Sequence, residues 1–105
     1  MNLLVKPSYI SGTAKVPGDK SISQRALIMA ALASGETVIK NLLTSADCLS
    51  TLNCLRQLGV EIELKNEQAV VKGVGLFGLK EPNDVLNVGN SGTALRMLPG
   101  VLAGQ

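Results

Sequence analysis

Eight consecutive apolar residues, Ala26 to Ala33, constrain this chain more than any other stretch. Read as a helix, so apolar a segment has to be buried, and Gly35 just beyond it is a natural C-terminal stop. The segment in front of it is Pro17-Gly18-Asp19-Lys20-Ser21-Ile22-Ser23-Gln24-Arg25, which puts two cations where the helix begins. A helix N-terminus carries unpaired N–H groups and partial positive charge, so basic side chains there are disfavoured by a few tenths to about 1 kcal/mol each. An anion held among them resolves the conflict. Gly18 permits close backbone approach to such a ligand, and Ser21 either caps the helix or donates its hydroxyl to a phosphate oxygen. The plainer alternative is an exposed first turn with a serine cap and two solvated cations.

A second segment, Gly89-Asn90-Ser91-Gly92-Thr93-Ala94-Leu95-Arg96, has the same grammar. In each case a strand-like run, Gly12 to Val16 or Asp84 to Val88, leads into a glycine-rich turn, a hydroxyl residue and an arginine. The Gly18-to-Arg25 and Gly89-to-Arg96 intervals are the same. Two such turns, each with free backbone donors and a cation, can close on one doubly anionic substrate or on two substrates. The alternative is an ordinary capped helix that happens to hold an arginine.

Composition narrows the classes further. At 105 residues there is room for one domain and not two, and 46% hydrophobic content supports a core. Tyr9 and Phe77 are the only aromatics, which argues against a single-stranded nucleic-acid platform built on stacking faces. A net charge of +2 is too small to imply a polyanion, though local cations can still bind small anions. Without histidine, imidazole acid/base chemistry and His metal ligation are excluded, and neither metal nor cofactor is expected. Cys48 and Cys54 sit on one predicted helix, about 9 Å apart along its axis and facing different directions, so they read as two buried free thiols in a reducing cytoplasm. No run approaches a signal peptide or a membrane span.

The order of elements is that of an α/β chain. Thr37 to Leu43 reads as a strand; Ser45 is an N-cap, with Asp47 in the first turn of a helix. Leu49, Leu52, Leu55 and Leu58 recur at near-helical spacing until Gly59 ends that helix. Val60 to Leu64 alternates as a half-buried strand, and Lys65 to Gln68 turns into a strand from Ala69 to Val74. Val74 to Asn83 is the only linker-like stretch, and a new strand and helix begin at about Asp84.

The run "VPGDKSISQRALIMAALASGETVIKNLL", followed by "LNVGNSGTALRML", closely resembles the amino-terminal part of the 5-enolpyruvylshikimate-3-phosphate synthase family, the 3-phosphoshikimate 1-carboxyvinyltransferases. Gln24 stands where that family usually has His or Asn, and Met97 follows Arg96 where some members have Pro; neither touches a residue given a main role. The resemblance implies one βαβαββ unit of the inside-out α/β enolpyruvyl transferase fold over residues 16–76, its helices packed inside, and the start of a second unit over 84–105. Residues 1–15 would belong to the other half of the enzyme. Because the family's chains are several times longer, with the active site between two halves, the chain is expected to be an amino-terminal fragment, inactive alone, whose partner is the missing carboxy-terminal remainder.

The implied reaction transfers the enolpyruvyl group of phosphoenolpyruvate to the 5-hydroxyl of shikimate 3-phosphate, releasing phosphate, on the pathway to the aromatic amino acids. Carried over by residue, Lys20 contacts both substrates and takes the catalytic part, stabilising charge on the tetrahedral adduct. Ser21 and Arg25 serve the shikimate phosphate. Gly92 lies against phosphoenolpyruvate, where the inhibitor glyphosate would also sit, with Asn90 and Thr93 shaping the turn. Arg96 and Asp47 are of second rank, Asp47 more simply as a helix-start carboxylate. A nucleotide P-loop over Gly12 to Ser21 fails on spacing and on Asp19. Two alternatives stay open: the sister enzyme acting on UDP-N-acetylglucosamine, against which Ser21 and Arg96 speak, and a non-catalytic phosphate-binding module.

Overall fold

The computed structural model describes residues 1–105. Its elements are α1 (Lys20–Leu32), β1 (Ser34–Ile39), α2 (Ala46–Gln57), β2 (Glu61–Lys65), β3 (Gln68–Val74) and α3 (Gly92–Leu102). The three strands form one antiparallel sheet in the order β1-β3-β2. A two-residue turn, Asn66-Glu67, joins β2 to β3, with Asn66 at φ 56° and Lys65 opposite Gln68. Asn tolerates that left-handed geometry, which suits the twist of a tight hairpin. β1 pairs along the other edge of β3, from Ser34 opposite Val74 to Ile39 opposite Ala69.

Alternation along the strands sends Ile62, Ala69 and Val71 to the covered face. Leu27, Ile28 and Ala31 of α1 and Leu52 and Leu55 of α2 pack onto them, and Ala94 and Leu98 of α3 complete the same cluster. α1 lies against both β3 and α2. Both cysteines are buried and free, as their places on α2 imply. No helix is long and apolar enough to cross a membrane.

Four expectations change. The run Ala26 to Ala33 is not buried throughout: Met29 is 71% exposed, and with Ile22, one helical heptad earlier at 59%, it forms a stripe turned away from the core. No strand forms at Gly12 to Val16 or Asp84 to Val88, because neither run finds a strand to pair with; Leu86 and Val88 rest on the core instead. The βαβαββ unit is therefore present as αβαββ, its first strand missing, with α3 after it. β1 starts and stops earlier than Thr37 to Leu43, since Asn41 turns the chain at φ 57° and the Leu42 N–H donates to Glu67 O at 2.8 Å. The stretch after Val74 is no free linker: the Lys80 N–H donates to Leu58 O at 2.7 Å, and Leu79 packs on the core.

Candidate functional site

Three helix starts come together: Lys20 of α1 pairs with Asp47 of α2, and Gln24 of α1 reaches Ser91 in front of α3. The first is capped by Asp19, whose carboxylate accepts from the Ile22 N–H at 2.8 Å. Ser21, read from sequence as the possible cap, is the second residue of the helix and half-buried; Asp19 takes the cap because it holds the extended backbone a cap requires. Ser45 does occupy the N-cap position of α2, but its hydroxyl makes no capping bond. Ser91 caps α3, accepting from the Ala94 N–H at 3.1 Å. The two glycine-rich segments thus differ in register: the serine is inside one helix and before the other.

Each helix start contributes roughly half a positive charge. Apart from the cap, neither α1 nor α3 has an acidic residue in its first turn. Lys20 is the first residue of α1, and its Nζ lies 3.1 Å from Asp47 Oδ2, with the lysine side chain 55% exposed and the carboxylate 20%. Asp47 therefore does two things, lying in the first turn of α2 and pairing with the lysine of α1. Arg25 and Arg96 are exposed and make no ion pair. Asn90 and Gly92 are exposed and Thr93 is half-buried, all at the mouth of α3. Free N–H groups at the helix starts, with the Lys20 ammonium beside them, are groups that suit oxyanions.

The glycines have separate reasons. A Cβ on Gly18 would run into the Asn41 carbonyl oxygen and sit 3.0 Å from Leu43 N, so this glycine makes room for the protein's own backbone and not for a ligand. Gly89 holds φ 60°, the left-handed geometry that glycine adopts without strain. Gly92 needs neither concession: its φ is not positive, and a Cβ there would meet nothing within 4 Å. Nothing in this chain demands glycine at 92.

One residue set aside in the sequence holds the arrangement together. Gln24, wholly buried, donates from Nε2 to Asp47 O at 3.2 Å, to Thr51 Oγ1 at 3.1 Å and to Ser91 Oγ at 2.6 Å. Of the residues assigned to the site it touches only Asp47, one of second rank, through the backbone carbonyl. The two thiols also donate to backbone: Cys48 Sγ to Lys20 O at 3.6 Å and Cys54 Sγ to Asn87 O at 3.3 Å. Burial raises the Cys54 thiol pKa above its ordinary value. No surface depression is lined by Lys20, Ser21, Arg25, Asn90, Gly92, Thr93 or Arg96; the largest is bordered by Lys15, Lys40 and Lys65.

The sequence model of "EPSP synthase (3-phosphoshikimate 1-carboxyvinyltransferase)" matches residues 4–105. A 3-phosphoshikimate 1-carboxyvinyltransferase of Pelotomaculum thermopropionicum is 60% identical over 101 residues, 95% of this chain and 23% of the relative. One from Geobacillus thermodenitrificans is 55% identical over 105 residues, 100% of this chain and 24% of its own length. The solved EPSP synthase of Acinetobacter baumannii superposes with a TM-score of 0.82 at 46% identity, covering 87% of this chain and 21% of that one. The chain spans about a quarter of the length of these relatives. It belongs to the EPSP synthase family.

Proposed function

We propose that this chain is the amino-terminal part of a 3-phosphoshikimate 1-carboxyvinyltransferase, working in the cytoplasm, and that it supplies one wall of the active site. The observation that carries the reading is the meeting of the α1 and α3 starts through the Gln24–Ser91 bond, with the Lys20–Asp47 pair beside it. Both substrates of the proposed reaction are phosphorylated, and phosphate groups are what such helix starts attract. Lys20 reaches both substrates and offsets the charge that builds on the tetrahedral adduct. Ser21 and Arg25 take the phosphate of shikimate 3-phosphate. Gly92, Asn90 and Thr93 take phosphoenolpyruvate, with Gly92 bare of a side chain so that the ligand can approach. Asp47 holds the Lys20 ammonium in place until substrate arrives, and Arg96 adds to the field. Residues 1–15 pair with the other half of the enzyme, residues 16–76 form the first repeat unit and 84–105 open the second. An open wall alone cannot hold two reactants in line, so the chain by itself catalyses nothing.

The test is a chimera in which this chain replaces the matching amino-terminal quarter of the Geobacillus thermodenitrificans relative. Phosphate release that requires both phosphoenolpyruvate and shikimate 3-phosphate supports the reading. Acceptance of UDP-N-acetylglucosamine in place of shikimate 3-phosphate would assign the sister activity, and binding without turnover a non-catalytic module. In an active chimera, Arg25→Ala should raise KM for shikimate 3-phosphate about tenfold or more, as expected for a lost charge-assisted contact, and KM for phosphoenolpyruvate much less. Equal rises would end this division of labour.

A further inference from the structure

A primary amide is costly to bury without partners. Gln24 is nonetheless 0% exposed, on the face of α1 that meets α2 and α3. Its Nε2 faces three acceptors in two other segments: Asp47 O, Thr51 Oγ1 and Ser91 Oγ. Thr51 donates its own hydroxyl to Asp47 O at 3.2 Å, which leaves its oxygen free to accept from the amide. Ser91 Oγ also accepts from the Ala94 N–H, so the atom that Gln24 holds is the one that starts α3. The amide orientation follows from chemistry, since the reverse would set Oε1 against the Asp47 carbonyl oxygen, acceptor on acceptor. In the orientation observed, Oε1 is buried with no partner. The two amide hydrogens are shared among the three acceptors, while Oε1 stays unpaired.

We infer that Gln24 is a positioning residue, whose buried amide keeps the Asn90–Thr93 turn of α3 in register with Lys20 and Arg25 of α1. The inference rests on the proposed reading that both turns hold the two phosphorylated substrates. Lys20 is one helical turn before Gln24 and Arg25 is next to it, so any change in the Gln24–Ser91 contact alters the gap between the turns. Packing alone gives no reason for an amide here. A leucine of similar volume would fill the space but remove the donor that ties α1 to Asp47 O and Ser91 Oγ, leaving those acceptors only their local partners, the Thr51 hydroxyl and the Ala94 N–H.

Two experiments separate positioning from filling. In the 105-residue chain, Gln24→Glu keeps the shape but titrates. Neutral, the acid can donate one hydrogen bond; ionised, it opposes the Asp47 carbonyl, and burial raises its midpoint. Followed by NMR against pH, the amides of Thr93 and Ala94 should move together with those of Ser21 and Arg25, on one shared midpoint absent from the unaltered chain. A transition confined to α1, with Ala94 still, overturns the inference. Should ionisation unfold the variant, the active chimera decides. There Gln24→Leu should lower kcat/KM about tenfold to a hundredfold, as misplaced reactants do, while melting near the parent. Gln24→His, which presents an N–H at the same reach, should recover most of that loss. Parent-like kinetics for Gln24→Leu, or no rescue by Gln24→His, overturns the inference. An unaltered chimera without turnover is a failure of the proposed function instead, and the pH experiment on the chain still settles Gln24.

Discussion

The two glycine-rich turns look alike in sequence and are built differently. The first is locked by the protein itself: Gly18 is pressed against Asn41, Asp19 caps the helix, and Lys20 is paired with Asp47. The second is held from beneath, by Ser91 and the Gln24 amide and by the Cys54 thiol on Asn87 O, and is open above, where Gly92 faces empty space and Arg96 has no partner. A closed turn answers to substitution through stability. An open turn answers through what it binds. Each variant below tests which of these rules holds where.

The largest effect is expected at Lys20, the exception in the closed turn. Lys20→Met keeps the aliphatic stem and removes the charge, so in an active chimera turnover should fall at least about a hundredfold, the scale of losing one oxyanion-stabilising group. The fold should be unaffected, because the lost pair with Asp47 is half-exposed and such pairs contribute little to stability. Circular dichroism and melting of the same variant check the second half. Near-parent turnover would remove Lys20 from the chemistry.

Gly18→Ala should follow, as a loss of stability. The added methyl meets backbone at Asn41 and Leu43, which cannot rotate away, so overpacking should cost about 1–3 kcal/mol. Chemical denaturation of the chain measures it. A neutral result would mean that the first turn is as loose as the second.

What the residues disclosed in advance follows the same division. The apolar run Ala26 to Ala33 placed α1, the spacing of Leu49, Leu52, Leu55 and Leu58 placed α2, and the alternation from Val60 to Leu64 placed β2. That Lys20, Asn90, Gly92 and Thr93 fall at helix starts was readable from glycine and hydroxyl spacing. Pairing between distant segments was not. The strands expected at Gly12 to Val16 and Asp84 to Val88 have suitable composition, but a strand needs a neighbour, and composition does not name one. The Lys20–Asp47 pair spans 27 residues and the Gln24–Ser91 bond spans 67. Gln24 stands among Lys20, Ser21, Ser23 and Arg25 in the polar first half of α1, so nothing in its sequence neighbourhood marked it as the buried polar group that must find partners.

The thiol beneath the second turn should give a smaller, pH-dependent effect. Burial raises the Cys54 pKa in the folded chain above its unfolded value of 9.0. The unfolded state therefore loses its proton first, and the folded state is favoured fully only while the thiol is neutral in both. Stability should be constant below about pH 8 and fall as pH rises through 9 toward the folded midpoint, by at most about 1.4 kcal/mol per pH unit for one proton. Cys54→Ser or Cys54→Ala should remove this slope. A slope that persists in both would place the alkaline loss elsewhere than on this thiol.

Gly92→Ala should change stability least, by under about 0.5 kcal/mol, the range of surface substitutions that touch nothing. It is the mirror of Gly18→Ala: the same methyl, on the equivalent segment, added to open space at the first residue of a helix whose φ any residue can adopt. Alanine is also the better helix former, which pulls the small balance toward stabilisation. If the denaturation midpoint of the chain holds while the chimera's KM for phosphoenolpyruvate rises, the bare position is explained by the ligand and by nothing in the fold. If instead the midpoint falls as far as for Gly18→Ala, the second turn is closed by contacts of its own, and the contrast between the two turns is lost.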